Sequence, residues 1–301
     1  MFPLSDSPQQ VESSEAEYAQ GMDAAQFETH AAHEQTHWWF VARRQILRKV
    51  LLELASPGTP LLDVGCGTGA NAAWFAERFP TTGIDVSRYA IDLARKRFPG
   101  VRFECGTIGD LDTATCQSVR LVTLLDVLEH VPDDLQVFSQ LASHLSPGTH
   151  FVVTVPAGLD LWSPHDQALG HYRRYSPKRL TQVWDGLPVE CRLLSHFNSR
   201  LYGPIKMVRS LTRKRRHSAG HGGTDLSLPP SPINAALRHW FAGESHRIVG
   251  SLKRGGAGGY PRGVSLLAVL TRLEGDIEVR TRGADVSRDH YDPIAKQYLG
   301  D

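Results

Sequence analysis

Leu61-Leu62-Asp63-Val64-Gly65-Cys66-Gly67-Thr68-Gly69 is the stretch on which the fold depends. A short buried-type run leads straight into three alternating glycines, and an apolar-periodic segment opens directly behind them. Glycine permits positive φ and lets backbone approach a ligand, while the following helix start offers unpaired N–H donors to anionic groups. Outward from this turn, short apolar runs alternate with helical stretches. Strands are expected over 60–64, 81–86, 101–105, 119–125, 150–155, 189–197 and 264–270, and helices over 70–79, 88–98, 133–145 and 177–184. Seven strands separated by helices of about ten residues predict a doubly wound, mostly parallel α/β sheet with right-handed crossovers.

One amphipathic helix is expected over 33–54, stopped by Ser56-Pro57-Gly58. The pattern breaks between Asn198 and Arg262, where a basic run, a breaker-rich stretch at 218–232, a helix over 233–252 and a Gly-rich turn at 255–259 interrupt it. The expected organisation is a mobile segment at 1–27, a core at 28–198 and 263–273, a helical insertion before the last strand at 199–262, and a tail at 274–301.

Composition narrows the function classes. The chain has 301 residues, with 33 Lys+Arg against 32 Asp+Glu and a net charge of +1, so no global field calls for nucleic acid. No apolar run approaches the roughly 18 residues of a membrane span. The four cysteines lack C-x-x-C spacing, which fits buried thiols in a reducing, cytoplasmic setting.

Asp85 closes the second strand, placed to accept from both hydroxyls of a ribose. Gly65, Gly67 and Ala70 also satisfy G-x-G-x-x-A, so a nicotinamide-dependent oxidoreductase is one reading. Gly69, the acidic Asp63 before the turn and the helix preceding the first strand favour S-adenosylmethionine instead.

At this point the sequence resembles class I S-adenosylmethionine-dependent methyltransferases. The resemblance continues through Leu124-Leu125-Asp126-Val127-Leu128-Glu129-His130-Val131 and Pro147-Gly148-Thr149. A bacterial subgroup tied to glycan, lipid-linked or secondary-metabolite pathways is similar in His37-Trp38-Trp39-Phe40 with Arg43-Arg44, in Leu161-Trp162-Ser163-Pro164-His165-Asp166, in Gly170-His171-Tyr172-Arg173-Arg174-Tyr175 and in Phe197-Asn198. By resemblance, Gly65 and Gly67 line the methionyl part of the cofactor, with Cys66 and Gly69 in the same turn. Asp85 and Val86 meet the ribose, and Thr107 with Ile108 meets the adenine edge. Asp126 and Val127 lie near the methionine end. Many relatives carry an acid where Thr107 stands, and Asp110 is the nearby substitute.

Methyl transfer needs an acceptor lone pair aligned opposite the leaving sulfur, and a base only where the acceptor must lose a proton. His171, His130 and His165 are the base candidates, His171 first. Arg173, Arg174, Tyr175 and Asp166 are expected to meet the acceptor. Trp39 is expected over the sulfonium by cation–π attraction, and Arg43 against the cofactor carboxylate. His165, Asp166 and His171 match no metal signature, so no metal is expected. The basic run at 201–216 is interleaved with apolar residues, as a peripheral membrane contact or a pocket cap would be. Residues 290–298 resemble the opening helix of many other class I domains, so the tail is either a plain helix or the start of a second domain. A catalytically silent cofactor-binding partner of another methyltransferase is the remaining alternative.

Overall fold

The computed structural model describes residues 24–215 and 227–281. The chain runs through α1 (Ala24–His33), α2 (Trp38–Leu54), β1 (Leu61–Val64), α3 (Ala70–Ala76), β2 (Thr81–Asp85), α4 (Arg88–Arg97) and β3 (Arg102–Cys105). It continues through α5 (Thr113–Ser118), β4 (Leu121–Leu125), α6 (Asp134–His144), β5 (His150–Pro156), α7 (Pro164–Ala168), α8 (Pro177–Thr181) and β6 (Val189–Phe197). Helices α9 (Tyr202–Arg215), α10 (Ser231–Ala242) and α11 (Ser245–Lys253) precede β7 (Ser265–Arg272).

The seven strands form one sheet in the order β3-β2-β1-β4-β5-β7-β6. The first five pair in parallel, and β7 runs antiparallel to both β5 and β6. Period-two alternation sends Leu61, Leu121, Val152 and Leu267 to one face, where Ile46, Leu47, Val50 and Leu51 of α2 cover them. Leu62, Val122, Phe151 and Leu270 face the other way onto Phe138 and Leu141 of α6. With helices on both sides the strands are apolar on both faces, as the sequence runs imply. Each fully buried Leu or Phe here contributes about 1.5–3 kcal/mol.

Several boundaries differ from the sequence expectation. The chain is already helical at Ala24, because Phe27 is buried and Glu28 accepts from the Tyr89 hydroxyl at 2.6 Å. The helix expected over 33–54 begins only at Trp38, after a break that separates it from α1. Its break is capped from far along the chain: Asn234 Oδ1 accepts from Trp38 N at 2.8 Å, and Asn234 Nδ2 donates to the Thr36 carbonyl at 2.9 Å. The helix expected over 233–252 divides at Gly243-Glu244. There the buried Glu244 carboxylate accepts from Ser199 N and Arg200 N at 2.8 and 2.9 Å, pinning the insertion to the end of β6. The insertion does precede the last strand. Residues 1–23, the breaker-rich 216–226 and the tail segment 290–298 lie outside the described residues.

Candidate functional site

A cavity of about 1180 Å³ opens at the carboxyl ends of β1, β2 and β4. Strand order reverses between β1 and β4, and open α/β sheets bind ligands at such a switch point. The volume exceeds the roughly 300–1,000 Å³ of single-ligand pockets, giving room for two molecules.

At its glycine end, Gly65 and Gly67 hold φ of 67° and 52°. A Cβ on Gly65 would stand 2.5 Å from Val127 Cγ2, so the turn is pressed against the end of β4; a Cβ on Gly67 would meet nothing within 4 Å and enter the cavity. Gly67 N–H donates to Asp85 Oδ2 at 2.9 Å, and Ser87 N–H donates to Asp85 Oδ1 at 2.8 Å. Burial raises the Asp85 pKa, and those two N–H donors partly offset it. Val86, Thr107 and Ile108 continue the wall past Asp85.

Along the β4 edge, Asp126 has φ of 60° and donates its N–H to the Thr154 carbonyl at 2.9 Å. Its carboxylate takes Arg43 Nη1 at 2.7 Å and the Thr154 hydroxyl at 2.9 Å. Trp39 lies under the Arg43 guanidinium, 4.8 Å from ring centroid to Cζ.

At the opposite end Glu129, His130 and His171 converge, with one carboxylate oxygen and one nitrogen from each ring all within 4.8 Å of one another. The two imidazoles meet edge to face at 4.7 Å. Both Glu129 oxygens are buried without a hydrogen-bond partner. Burial, then the Asp126 charge, pushes the Glu129 carboxyl well above its usual range. Burial, then the neighbouring His171, holds His130 well below its usual value and so neutral. His171 Nδ1 is 2.9 Å from Asp166 Oδ1, whose carboxylate also takes Arg174 Nη1 at 2.6 Å. Burial alone would raise the Asp166 pKa, but Arg174 and His171 hold it well below the carboxylate range.

A methyltransferase-domain family model matches residues 34–201, more than half of the chain and the whole of β1 to β6. The chain belongs to this methyltransferase family. Among curated relatives, it is 35% identical over 108 residues to a trans-aconitate 2-methyltransferase of Deinococcus radiodurans, covering 35% of this chain and 40% of that one. It is 28% identical over 167 residues to a ubiquinone biosynthesis O-methyltransferase of Idiomarina loihiensis, covering 50% of this chain and 68% of the relative. The match thus spans about two-fifths of the Deinococcus protein's length. A chain from the complex of the Haloferax volcanii Trm112 methyltransferase activator with a methyltransferase shares the fold, with a TM-score of 0.50, 15% identity, and coverage of 84% of this chain and 97% of that one. Seven strands with flanking helices in this order are the Rossmann-like class I methyltransferase fold.

Within the methyltransferase domain, Gly65, Cys66, Gly67, Asp85, Val86, Thr107, Ile108, Asp126, Val127, Arg43 and Trp39 all line the one cavity, as do His130, His165 and His171. Gly69 and Asp63 stand elsewhere. A Cβ on Gly69 would stand 2.8 Å from Phe103 Cζ and 2.9 Å from Ala94 Cβ, so this glycine serves the packing of α4 and β3. Asp63 is sealed behind the turn, where its Oδ1 accepts from the Thr123 hydroxyl at 2.5 Å and burial lifts its pKa to about 7. Arg43 spends both Nη atoms on Asp126 and Thr154. Asp110 also lines the cavity, its Oδ2 accepting from Thr107 N and Oγ1 at 2.7 and 2.9 Å.

The four residues expected at the acceptor are buried. Arg173 donates to the carbonyls of Leu128, Val131 and Pro132 at 2.6–3.0 Å. Arg174 donates to Ala157, Gly158 and Val264 carbonyls besides Asp166. The Tyr175 hydroxyl lies 2.9 Å from Asp134 Oδ2. Asp166 caps Ser163 N at 2.9 Å. These groups hold the loop after β5 against the loop after β4. In α9, Ile205 and Val208 line the cavity and Arg209 Nη1 donates to the Leu161 carbonyl at 3.1 Å, so this stretch caps the pocket. No helix among the described residues is long and apolar enough to cross a membrane. Glu129 is the cavity residue that sequence reasoning passed over. An acid between Leu128 and His130, four residues past the end of β4, was its only signal.

Proposed function

We propose that the chain is a cytoplasmic S-adenosylmethionine-dependent methyltransferase that moves a methyl group by in-line displacement to an oxygen of a small-molecule, glycan or lipid-linked acceptor. The Gly67–Asp85 cradle carries this reading: a backbone N–H fixes the carboxylate at 2.9 Å, and the space beyond the glycine Cα is open. Each Asp85 oxygen keeps a second lone pair for a ribose hydroxyl. The residues present therefore fit a nucleoside at this end of the cavity.

When bound, S-adenosylmethionine supplies a methyl carbon made electrophilic by its sulfonium. The chain's own work is alignment, which contributes up to roughly 7–11 kcal/mol when the reacting atoms are held in near-attack geometry. Asp85 holds the sugar, Val86 and Ile108 flank the base, and Trp39 and Asp126 bound the methyl end. Arg43 acts on this site through Asp126. His130 and His171 hold the acceptor oxygen at the far end, and His165 lies on the same wall. The names of the two relatives, one a ubiquinone biosynthesis O-methyltransferase, support oxygen as the acceptor atom.

Calorimetry with S-adenosylhomocysteine tests the proposal. Binding by the intact chain, weakened at least about tenfold in Asp85→Ala, is expected, since hydrogen bonds to a charged group contribute about 1.5–3 kcal/mol. Heat with NAD or NADP and none with S-adenosylhomocysteine would establish the oxidoreductase alternative. Transfer of labelled methyl into source-cell extract, read by mass spectrometry, separates an enzyme from a silent partner.

A further inference from the structure

Among the described residues, no cation pairs with the buried carboxyl group of Glu129. Arg43 gives its Nη atoms to Asp126 and Thr154, and Arg174 gives its groups to Asp166 and backbone carbonyls. Both Glu129 oxygens are left without a hydrogen bond at zero exposure. An unpaired buried carboxylate costs several kcal/mol unless a cation meets it. His130 and His171 each bring a ring nitrogen within 4.8 Å of a Glu129 oxygen and of each other.

The geometry points to a divalent transition-metal site formed by Glu129, His130 and His171, whose open positions take an oxygen of the methyl acceptor; its acceptor role rests on the methyl-transfer reading above. The surrounding groups are arranged as supports of such a site. Asp166, at zero exposure, takes His171 Nδ1–H at 2.9 Å, which fixes the tautomer with the lone pair on Nε2. Carboxylate–histidine pairs of this kind orient metal-bound imidazoles and raise their basicity.

The two ligand-bearing segments are also clamped to each other. Tyr172 N–H donates to the Glu129 carbonyl at 2.8 Å, and Arg173 Nη1 donates to the carbonyls of Leu128 and Val131 at 3.0 and 2.7 Å. Arg173 thus gains a purpose: it keeps the loop after β5 in the register with the loop after β4 that brings three ligands together. Two imidazoles and one carboxylate suit Zn²⁺, Mn²⁺, Fe²⁺ or Co²⁺ better than Mg²⁺ or Ca²⁺, which favour all-oxygen sets. Three protein ligands leave room for an exogenous oxygen, as in catalytic rather than structural sites. The absence of a sequence signature is explained by the 40 residues between His130 and His171, which only the fold brings together.

The experiment uses the tag-free full-length chain, stripped with chelator and titrated with Zn²⁺ by calorimetry and with Co²⁺ by visible absorption. One ion per chain is expected, with ligand-field bands of a nitrogen and oxygen site. Glu129→Gln and His171→Ala are each expected to weaken Co²⁺ binding more than about tenfold, with S-adenosylhomocysteine binding retained as the measure of an intact fold. Uptake of neither ion by the unmodified chain at millimolar concentration, while it still binds S-adenosylhomocysteine, would overturn the site. So would thiolate charge-transfer bands, or full Co²⁺ affinity in both variants. Should the unmodified chain take one ion but no S-adenosylhomocysteine, the methyl-transfer reading falls, and the ion's acceptor role with it.

Discussion

Arg43 Nη1 stands 2.7 Å from Asp126 Oδ2, joining the helix that precedes the sheet to the end of its central strand β4. Thr154 completes a triangle, donating to Asp126 Oδ1 at 2.9 Å and accepting from Arg43 Nη2 at 3.1 Å. Because Arg43 is 4% exposed and Asp126 24%, the pair is only partly screened. Arg43→Met is expected to cost about 2–3 kcal/mol, at the lower edge of the range for breaking a buried pair, and to lower Tm by about 5–10 °C. The double variant Arg43→Met with Asp126→Asn should recover part of that loss, since asparagine tolerates the positive φ. Thermal melts of the four proteins in the cycle measure it; equal Tm in the double and in Arg43→Met would refute the pairing as the source of the loss.

Gly67 and Gly69 are expected to respond differently to alanine. Gly67→Ala carries only the left-handed backbone penalty, about 1–2 kcal/mol, while its methyl enters the cavity and weakens S-adenosylhomocysteine binding. Gly69→Ala drives a methyl onto Phe103 and Ala94 and should lose more stability. Melting and calorimetry on both variants check this, and a larger loss of stability in Gly67→Ala would contradict the assignment.

Acid should weaken the fold through His30. Burial holds this ring at about 4 against an ordinary 6.5, so the unfolded chain binds its proton at higher pH than the folded chain. The stability it contributes is complete above about 6.5 and is lost as pH falls through about 4. Asp63 acts in the opposite sense: held at about 7 against 3.8, its contribution is complete below 3.8 and lost as pH rises through 7. His30→Phe should flatten the acid limb and Asp63→Asn the alkaline limb of stability measured by urea unfolding across pH 4–8. Unchanged limbs would remove these residues from the account.

Arg173→Met strands three carbonyls and is expected to lower Tm while leaving S-adenosylhomocysteine affinity within about twofold, because none of its bonds reaches the glycine end. A large fall in that affinity with Tm unchanged would place Arg173 at the ligand instead.

The strands and the glycine turn were legible because their signals are local: alternation, length and breakers lie within a few residues of each element. Distant partners were not legible. The break before Trp38 depends on Asn234, and the break at Glu244 depends on Ser199 and Arg200, none of which a local periodicity can contain. Gly69 matches the motif spacing of its neighbours, yet its job is set by Phe103 across the crossover. Arg173 and Arg174 read as an anion clamp because charge in a loop is normally solvated; the structure gives Arg173 to backbone carbonyls and Arg174, on the cavity wall, to Asp166 and carbonyls, partners that no local pattern marks. Glu129 was hidden because nothing in a sequence marks a carboxylate that folding leaves without a donor.

Among the described residues β7 alone runs against the rest of the sheet, and the excursion through α9 to α11 leaves from β6 and returns into the slot between β6 and β5. Residues 198–263 are therefore no removable cassette: Phe241, Ile248 and Leu252 complete the core beneath α2 and Asn234 caps that helix, so excising the excursion would uncover one face of the sheet. Single exchanges at Ile205 and Val208, which line the cavity without joining that core, are the route to altering what enters the far chamber.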